Sequence, residues 1–138
     1  MILRYKIIEN KKLVYVTGTG TLTFAELMRH IEELYQDPKY KAPMKKLIDY
    51  RQITKYALSL KEAQIFAQKK ISFGNIFSGE KCATVAPSDI GFGMARAHDA
   101  HIEGSNIETA AFRDFEQALN WLGIELDDAE TDIISHAR

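Results

Sequence analysis

The sequence of 138 residues is poor in cysteine, with Cys82 alone, and it has three prolines. A single cysteine cannot form a disulfide within the chain, which excludes the disulfide-stapled class of small secreted domains. The first twelve residues lack the apolar stretch and small-residue cleavage site of a signal peptide. These features predict a protein of the reducing cytoplasm, with Cys82 as a packing thiol.

The sequence also lacks an excess of charge of either sign. Lys and Arg total 18 against 19 Asp and Glu, for a net charge of -1. Binding to a phosphate backbone needs a basic surface, so we expect no nucleic-acid partner. Local lysine groups, at 39–46 and 69–70, are expected on the solvated surface. No apolar run approaches the roughly 18 residues of a membrane span, so no integral membrane association is expected.

What is present is a regular alternation of strand and helix patterns. Two β-rich runs, at 2–8 and 13–17, flank Asn10 and predict an antiparallel hairpin. Helix starts are indicated by a capping residue followed by helical apolar spacing, at Thr23, Ser59, Ser88 and Asp114. Short apolar runs near 46–50, 82–86 and 107–112 predict the remaining strands.

The order ββαβαβαβα therefore predicts an α/β fold. We expect a mixed five-stranded sheet, with the N-terminal antiparallel hairpin followed by parallel strands, flanked by four helices. Residues 1–124 are predicted to form one domain. Residues 125–138 are predicted to form an acidic C-terminal tail, with a short helix as the alternative to a loose segment.

Four segments carry a resemblance to a known family: Leu-Thr-Phe-Ala-Glu at 22–26, Ile-Asp-Tyr-Arg at 48–51, Gly-Phe-Gly-Met-Ala-Arg at 91–96, and 112–122. In this order they resemble the STAS-like, or SpoIIAA-like, bacterial domains over about residues 1–123. The resemblance implies a mixed sheet flanked by helices, akin to that of anti-sigma-factor antagonists and of lipid-carrying CRAL-TRIO domains, in a family whose members mostly lack an assigned activity. The phosphorylated serine of the switching antagonists has no counterpart at 49–54.

One candidate ligand site lies where the third strand is expected to end. Open α/β sheets bind ligands beyond the carboxyl ends of their strands, and backbone N–H groups at a helix start can hold an anion. The alternatives are an ion pair between the charged residues, and glycines needed only for packing. The residues expected to line this crevice are Asp49, Arg51, Ser88, Asp89, Gly91, Gly93 and Arg96.

An apolar segment at 71–79 stands where a polar connection is expected. Phe73, Ile76 and Phe77 lie in it, beside Gly74 and Gly79. Three interpretations remain open from the sequence: the segment folds back on the core, forms a subunit interface, or is a lid over an apolar pocket.

Catalytic signatures are absent from the sequence. It has no nucleophile elbow, no P-loop and no His-Glu-x-x-His motif. His98 and His101 lie three apart on one predicted helix, but two ligands do not make a metal site, and half-exposed surface histidines are the simpler interpretation. We therefore predict no catalytic residues, no metal and no cofactor.

These observations lead to one main prediction and two alternatives. The main prediction is a cytoplasmic STAS-like module that binds a protein partner or a small, partly apolar ligand, and that forms a homodimer. The first alternative is a peripheral lipid or fatty-acid carrier that resembles CRAL-TRIO domains. The second is an enzyme of unassigned reaction in which His98 or His101 acts as a base beside Asp49 or Asp89.

Overall fold

The sheet of this protein follows the order of the chain. The computed structural model describes residues 2–127 and residue 130, and within them five strands form one sheet, β1 to β5 from one edge to the other. β1 is antiparallel to β2, and the remaining neighbours are parallel. The predicted fold class is confirmed. The strands are β1 Leu3–Ile8, β2 Leu13–Thr23, β3 Lys45–Ala57, β4 Lys81–Val85 and β5 Glu108–Phe112.

Four helices connect and follow the parallel strands in the described chain: α1 Phe24–Gln36, α2 Leu60–Ser72, α3 Asp89–Ile102 and α4 Phe115–Leu122. Each begins at its predicted capping residue, whose side chain accepts a hydrogen bond from a backbone N–H three residues on. Such caps are each worth about 0.5–2 kcal/mol, so the helix boundaries are fixed locally by the sequence.

The two faces of the sheet are covered unequally. Right-handed crossovers between neighbouring strands in chain order place α1, α2 and α3 on one face. There Leu27, Ile31 and Phe66 pack against alternate residues of the strands. α4 covers the other face, where Leu119 and Leu122 belong to a second core cluster. We refer below to the three-helix face and the α4 face.

β2 and β3 extend well beyond the segments that the sequence predicted. They stay paired from Leu13 with Lys45 to Thr23 with Ala57, and the register shifts twice, between Thr17 and Thr19 and between Gly20 and Thr21. The glycines of β2 and the polar run after Tyr50 hid this extension, because both lack the apolar alternation of a strand. Bulges of this kind accommodate extra residues and increase the local twist.

The described part of the predicted tail contacts the N-terminal hairpin. Lys11 Nζ donates to the Glu125 carbonyl oxygen at 2.5 Å and pairs with the Glu130 carboxylate. The predicted helix near 133–134 lies outside the described residues, and the boundary at 124 stays a prediction. Across residues 2–127 and 130, no helix is long and apolar enough to cross a membrane.

Candidate functional site

Asp49 and Arg51 form an ion pair within β3 and do not end the strand. Asp49 is buried on the α4 face, where Arg51 binds its two carboxylate oxygens at 3.0 and 2.8 Å. The Tyr15 hydroxyl donates to the same carboxylate at 3.1 Å, and the Arg51 guanidinium lies 3.8 Å from the centre of the Phe115 ring. The hydrogen bonds that Arg51 donates to Asp49 raise the pKa of Arg51. This is the ion-pair alternative that the sequence left open.

The residues predicted at the start of α3 lie elsewhere. Ser88 caps the helix, accepting from Gly91 N at 3.0 Å, and the exposed Asp89 pairs with Arg113 at 2.8 Å. Gly93 is exposed and has nothing close to it, and Arg96 lies over the Phe92 ring. The structure therefore does not bring the seven predicted residues together in one crevice, because β3 runs six residues past Arg51. Ligand binding by these residues stays a prediction.

The apolar segment at 71–79 packs back onto the core as a short 3-10 helix, Gly74–Phe77. Phe77 is fully buried and meets Tyr40 edge-on, with the ring centres 5.1 Å apart. Phe73 is partly buried and stacks on Tyr35 at 4.1 Å. Of the three interpretations, folding onto the core matches the position of Phe77. An interface role for Phe73 and Ile76 stays a prediction.

A cavity of about 50 Å³ lies on the three-helix face, between β3, α2 and α3. For comparison, an engineered apolar cavity of about 150 Å³ binds benzene, and a water molecule takes about 30 Å³ of liquid. The space therefore fits a group of a few non-hydrogen atoms. Most of its wall is apolar and includes Leu22, Ile48, Leu58, Phe66, Met94 and Ala95.

Four polar side chains also line the cavity: Tyr50, Tyr56, Thr84 and His98. His98 Nδ1 lies 3.1 Å from Asp99 Oδ1. His98 Nε2 is buried and has no hydrogen-bond partner among the described residues. Burial lowers the pKa of His98, a trend that the hydrogen bond with Asp99 partly opposes, so the ring is neutral at pH 7. His98 is partly buried, with 16% of its side chain exposed, and His101 is exposed.

Gly91 is required at the wall of this cavity for packing. A Cβ at this position would lie 2.6 Å from Cζ of Tyr56, closer than real Cβ atoms approach other atoms. The Tyr56 ring therefore lies directly against the first turn of α3. Burial raises the pKa of Tyr56 to about 12, and a side-chain hydrogen bond with Ser88 partly opposes this shift. Sequence reasoning singled out Gly91 but could not foresee the tyrosine that lies on it.

A cluster of buried charges lies on the same face. Lys70 and Glu80 form an ion pair with both side chains almost fully buried, and Tyr40 donates to Glu80 at 2.5 Å. Burial disfavours both charges, yet their attraction dominates, raising the pKa of Lys70 and lowering that of Glu80. Lys46 is 1% exposed, so the surface position predicted for Lys46 and Lys70 is wrong.

Two cations and one carboxylate leave an excess positive charge in this cluster. Burial, reinforced by repulsion from Lys70, lowers the pKa of Lys46 to about 8. The neighbouring Cys82 is buried, as predicted, and burial raises the pKa of its thiol to about 11. A thiol with a raised pKa is a poor nucleophile at neutral pH. Lys46, Ile48 and Tyr50 are alternate residues of β3 and therefore lie on the same face of the sheet. This spacing was the signal in the sequence that could have shown that Lys46 is buried.

A larger groove, of about 710 Å³, lies between the C-terminal half of α3 and β5. Its wall carries Arg96, Asp99, Glu103 and Glu108. Glu80 also reaches it, but this carboxylate is already satisfied by Lys70 and Tyr40. Within the described part of the chain, no three His, Cys, Asp or Glu side chains come together as metal ligands. The small cavity, with its buried unpaired nitrogen, is the better candidate for ligand binding.

Comparison with solved structures decides the fold. The chain is similar to an uncharacterized protein of the DUF3478 family with a SpoIIAA-like fold from Shewanella loihica PV-4, with a TM-score of 0.55 and 20% sequence identity over 87% of this chain and 93% of that one. The chain has the SpoIIAA-like fold. The resemblance inferred from the four sequence segments is thus confirmed at the level of the fold.

Two further searches were negative. No family model matches the chain, and no curated protein matches it. At 20% identity the likeness carries the SpoIIAA-like fold alone, and a fold hosts many functions. Function has to be argued from the cavity.

Proposed function

We propose that this SpoIIAA-like domain is a non-catalytic module of the cytoplasm that binds a small, mostly apolar ligand in the cavity between β3, α2 and α3. One observation carries the proposal: His98 lines this apolar cavity, and its ring nitrogen Nε2 is buried without a hydrogen-bond partner among the described residues. Apolar walls with a few converging polar groups are typical of small-molecule sites. Buried polar atoms are nearly always paired, so an unpaired one supports a ligand contact.

The size of the cavity favours a small ligand over the lipid alternative. A fatty acyl chain needs far more space than about 50 Å³. A carrier also predicts that the segment at 71–79 opens onto a continuous cavity, whereas Phe73, Ile76 and Phe77 are not among the residues lining it. A homodimer through Phe73 and Ile76 remains compatible with ligand binding, because the cavity lies apart from them.

The His98–Asp99 pair favours an enzyme as the second candidate. A neutral imidazole held by a carboxylate inside a cavity is the arrangement of a general base. Asp49 and Asp89, the partners first considered, are bound to Arg51 and Arg113 instead. Conversion of a cavity ligand into product, followed by ligand-observed NMR and lost in His98→Phe, would favour this candidate.

Cavity binding is tested by methyl-observed NMR of the full chain, titrated with xenon and with 1-butanol. We expect shifts concentrated on the methyl groups of Leu22, Ile48 and Met94. Ala95→Leu places a larger side chain in the cavity wall and is expected to weaken both probes at least tenfold.

Ala100→Leu is the matched control, since Ala100 lies on the same helix but is exposed and outside the cavity wall. It is expected to leave both affinities unchanged. Equal shifts over the whole surface, or unchanged binding in Ala95→Leu, would contradict the proposal.

A further inference from the structure

We infer that the buried end of the ligand is an uncharged hydrogen-bond donor, such as the hydroxyl of an alcohol or phenol, received by His98 Nε2. This inference rests on the proposed function, because it names the ligand class of the same cavity. Three features of the site support it: the tautomer of His98, the composition of the cavity wall and the hydroxyl groups on the sheet.

The Asp99 carboxylate fixes the tautomer of His98. A carboxylate only accepts hydrogen bonds, so the contact at 3.1 Å places the proton on Nδ1. The ring is neutral, and Nε2 therefore carries a lone pair and can only accept. His98 lines the cavity and Asp99 does not, so the inferred ligand contact directs Nε2, on the side of the ring away from Asp99, toward the cavity. The ligand group that pairs with Nε2 must therefore be a hydrogen-bond donor.

The cavity wall disfavours an anion. No lysine or arginine is among the described residues that line it. Burying a carboxylate in an apolar cavity without a paired cation is strongly unfavourable. Lys70 and Lys46 influence His98 only from the buried cluster, where Glu80 compensates one of them. A carboxylate would also meet the lone pair of Nε2, whereas a hydroxyl would satisfy it.

Hydroxyl groups on the strand side can complete the coordination of a ligand hydroxyl. Thr84 of β4 is paired with Ile48 of β3, and Tyr50 lies two residues further along the same face. The Thr84 and Tyr50 side chains both line the cavity. Burial raises the pKa of Tyr50, so its phenol keeps its proton and can donate. A ligand hydroxyl can thus donate to His98 and also accept from the sheet, whereas an ether can only accept.

The test compares three probes of similar size on the full chain: 1-butanol, its isomer methyl propyl ether, and butyrate. Methyl NMR gives the affinities, and long-range ¹H–¹⁵N spectra report on His98 Nε2. One net hydrogen bond predicts that 1-butanol binds about 3- to 10-fold more tightly than the ether. We expect butyrate to bind most weakly, and the Nε2 resonance to move with 1-butanol only.

Two variants locate the preference. His98→Phe keeps a ring of similar size but removes the acceptor, so the two isomers are expected to bind equally. His101→Phe is the control, since His101 is exposed on the same helix and outside the cavity wall; it should retain the preference. Asp99→Asn weakens the control of the His98 tautomer while leaving the imidazole ring in place. We expect this variant to show a reduced preference for 1-butanol over the ether. It keeps the test independent of whether His98→Phe folds.

The outcomes separate the two proposals. Equal affinities of the isomers in the wild-type protein, or tighter binding of butyrate, would overturn the donor assignment while leaving the cavity as a binding site. Failure of xenon and of all three probes to shift the cavity methyl groups would instead overturn the proposed function itself.

Discussion

At the scale of single residues, the unusual feature is the charge buried on the three-helix face. Lys46, Lys70 and Glu80 are all nearly inaccessible, and the cations outnumber the carboxylate. Replacing buried ionic groups by apolar side chains of similar size is often neutral or stabilising by about 1–4 kcal/mol. Lys46 is the residue at which such a gain is expected, because it has no ion pair among the described residues.

Lys46→Met is therefore expected to raise the free energy of unfolding at pH 7 by about 1–4 kcal/mol. The folded-state pKa of about 8 lies below the unfolded value near 10.5, so the unfolded state holds the proton more tightly. Between pH 8 and 10.5 the free energy of unfolding of the wild type should therefore rise relative to that of Lys46→Met. The difference in stability between the two proteins should shrink over this range. Urea denaturation across this range measures it.

The control for this prediction is Lys69→Met. Lys69 is substantially exposed, where it forms a surface ion pair with Glu32 and lies over the Phe73 ring. Its replacement is expected to change stability by no more than about 0.5 kcal/mol at any of these pH values. A Lys46→Met variant that is less stable than the wild type at pH 7 would show that the lysine makes a net favourable contribution.

At the scale of elements, α3 carries two glycines with opposite structural roles. Gly91 lies under the Tyr56 ring, whereas the position of Gly93 has open space around it. The same substitution at the two sites should therefore have effects of opposite sign. This contrast tests whether the closeness of α3 to β3 is set by one residue.

Gly91→Ala is expected to lower the free energy of unfolding by about 1–3 kcal/mol, since the added methyl group collides with Tyr56. Gly93→Ala should raise it by about 0.5–1 kcal/mol, because alanine favours the interior of a helix. Thermal and urea unfolding of both variants measure the two changes. Stabilisation by both substitutions would show that Tyr56 moves aside at little cost.

The helix starts and the order of strands and helices along the chain were predictable from the sequence because they depend on local signals. Capping residues such as Thr23 and Ser59 act within one turn, and alternation of strand and helix limits the topology. The continuation of β3 past Arg51 was not predictable, because its polar residues are held there by pairing with β2. The cavity was equally hidden, since residues from six elements build it.

At the scale of the whole molecule, buried histidines make the fold sensitive to acid. His30 is fully buried against Tyr5, and both ring nitrogens are buried without a hydrogen-bond partner in the described chain. Burial, reinforced by Lys46, Lys70 and Arg29, holds its pKa well below the usual value. Below pH 6.5 the His30 imidazole therefore binds a proton in the unfolded chain but stays neutral in the folded one.

The free energy of unfolding is expected to fall by about 1.4 kcal/mol per pH unit for this group as the pH drops from 6.5 towards 5. His98, whose pKa is also lowered, adds to the effect. His30→Leu should make the dependence shallower, and the exposed His101→Leu should not change it. Denaturation curves at pH 7, 6 and 5 measure the slopes, and equal slopes for the wild type and His30→Leu would contradict the assignment.

The sheet order, in which every strand lies beside the one that precedes it in the chain, affects how the protein can assemble during synthesis. Each strand that leaves the ribosome finds its neighbour already present, so pairing can proceed from β1 to β5 without waiting for a distant segment. The helices that connect successive parallel strands, α1 to α3, all pack on the three-helix face. Such an assembly leaves two strand edges open to incorrect partners at any moment, the outer edge of β1 and the edge of the newest strand.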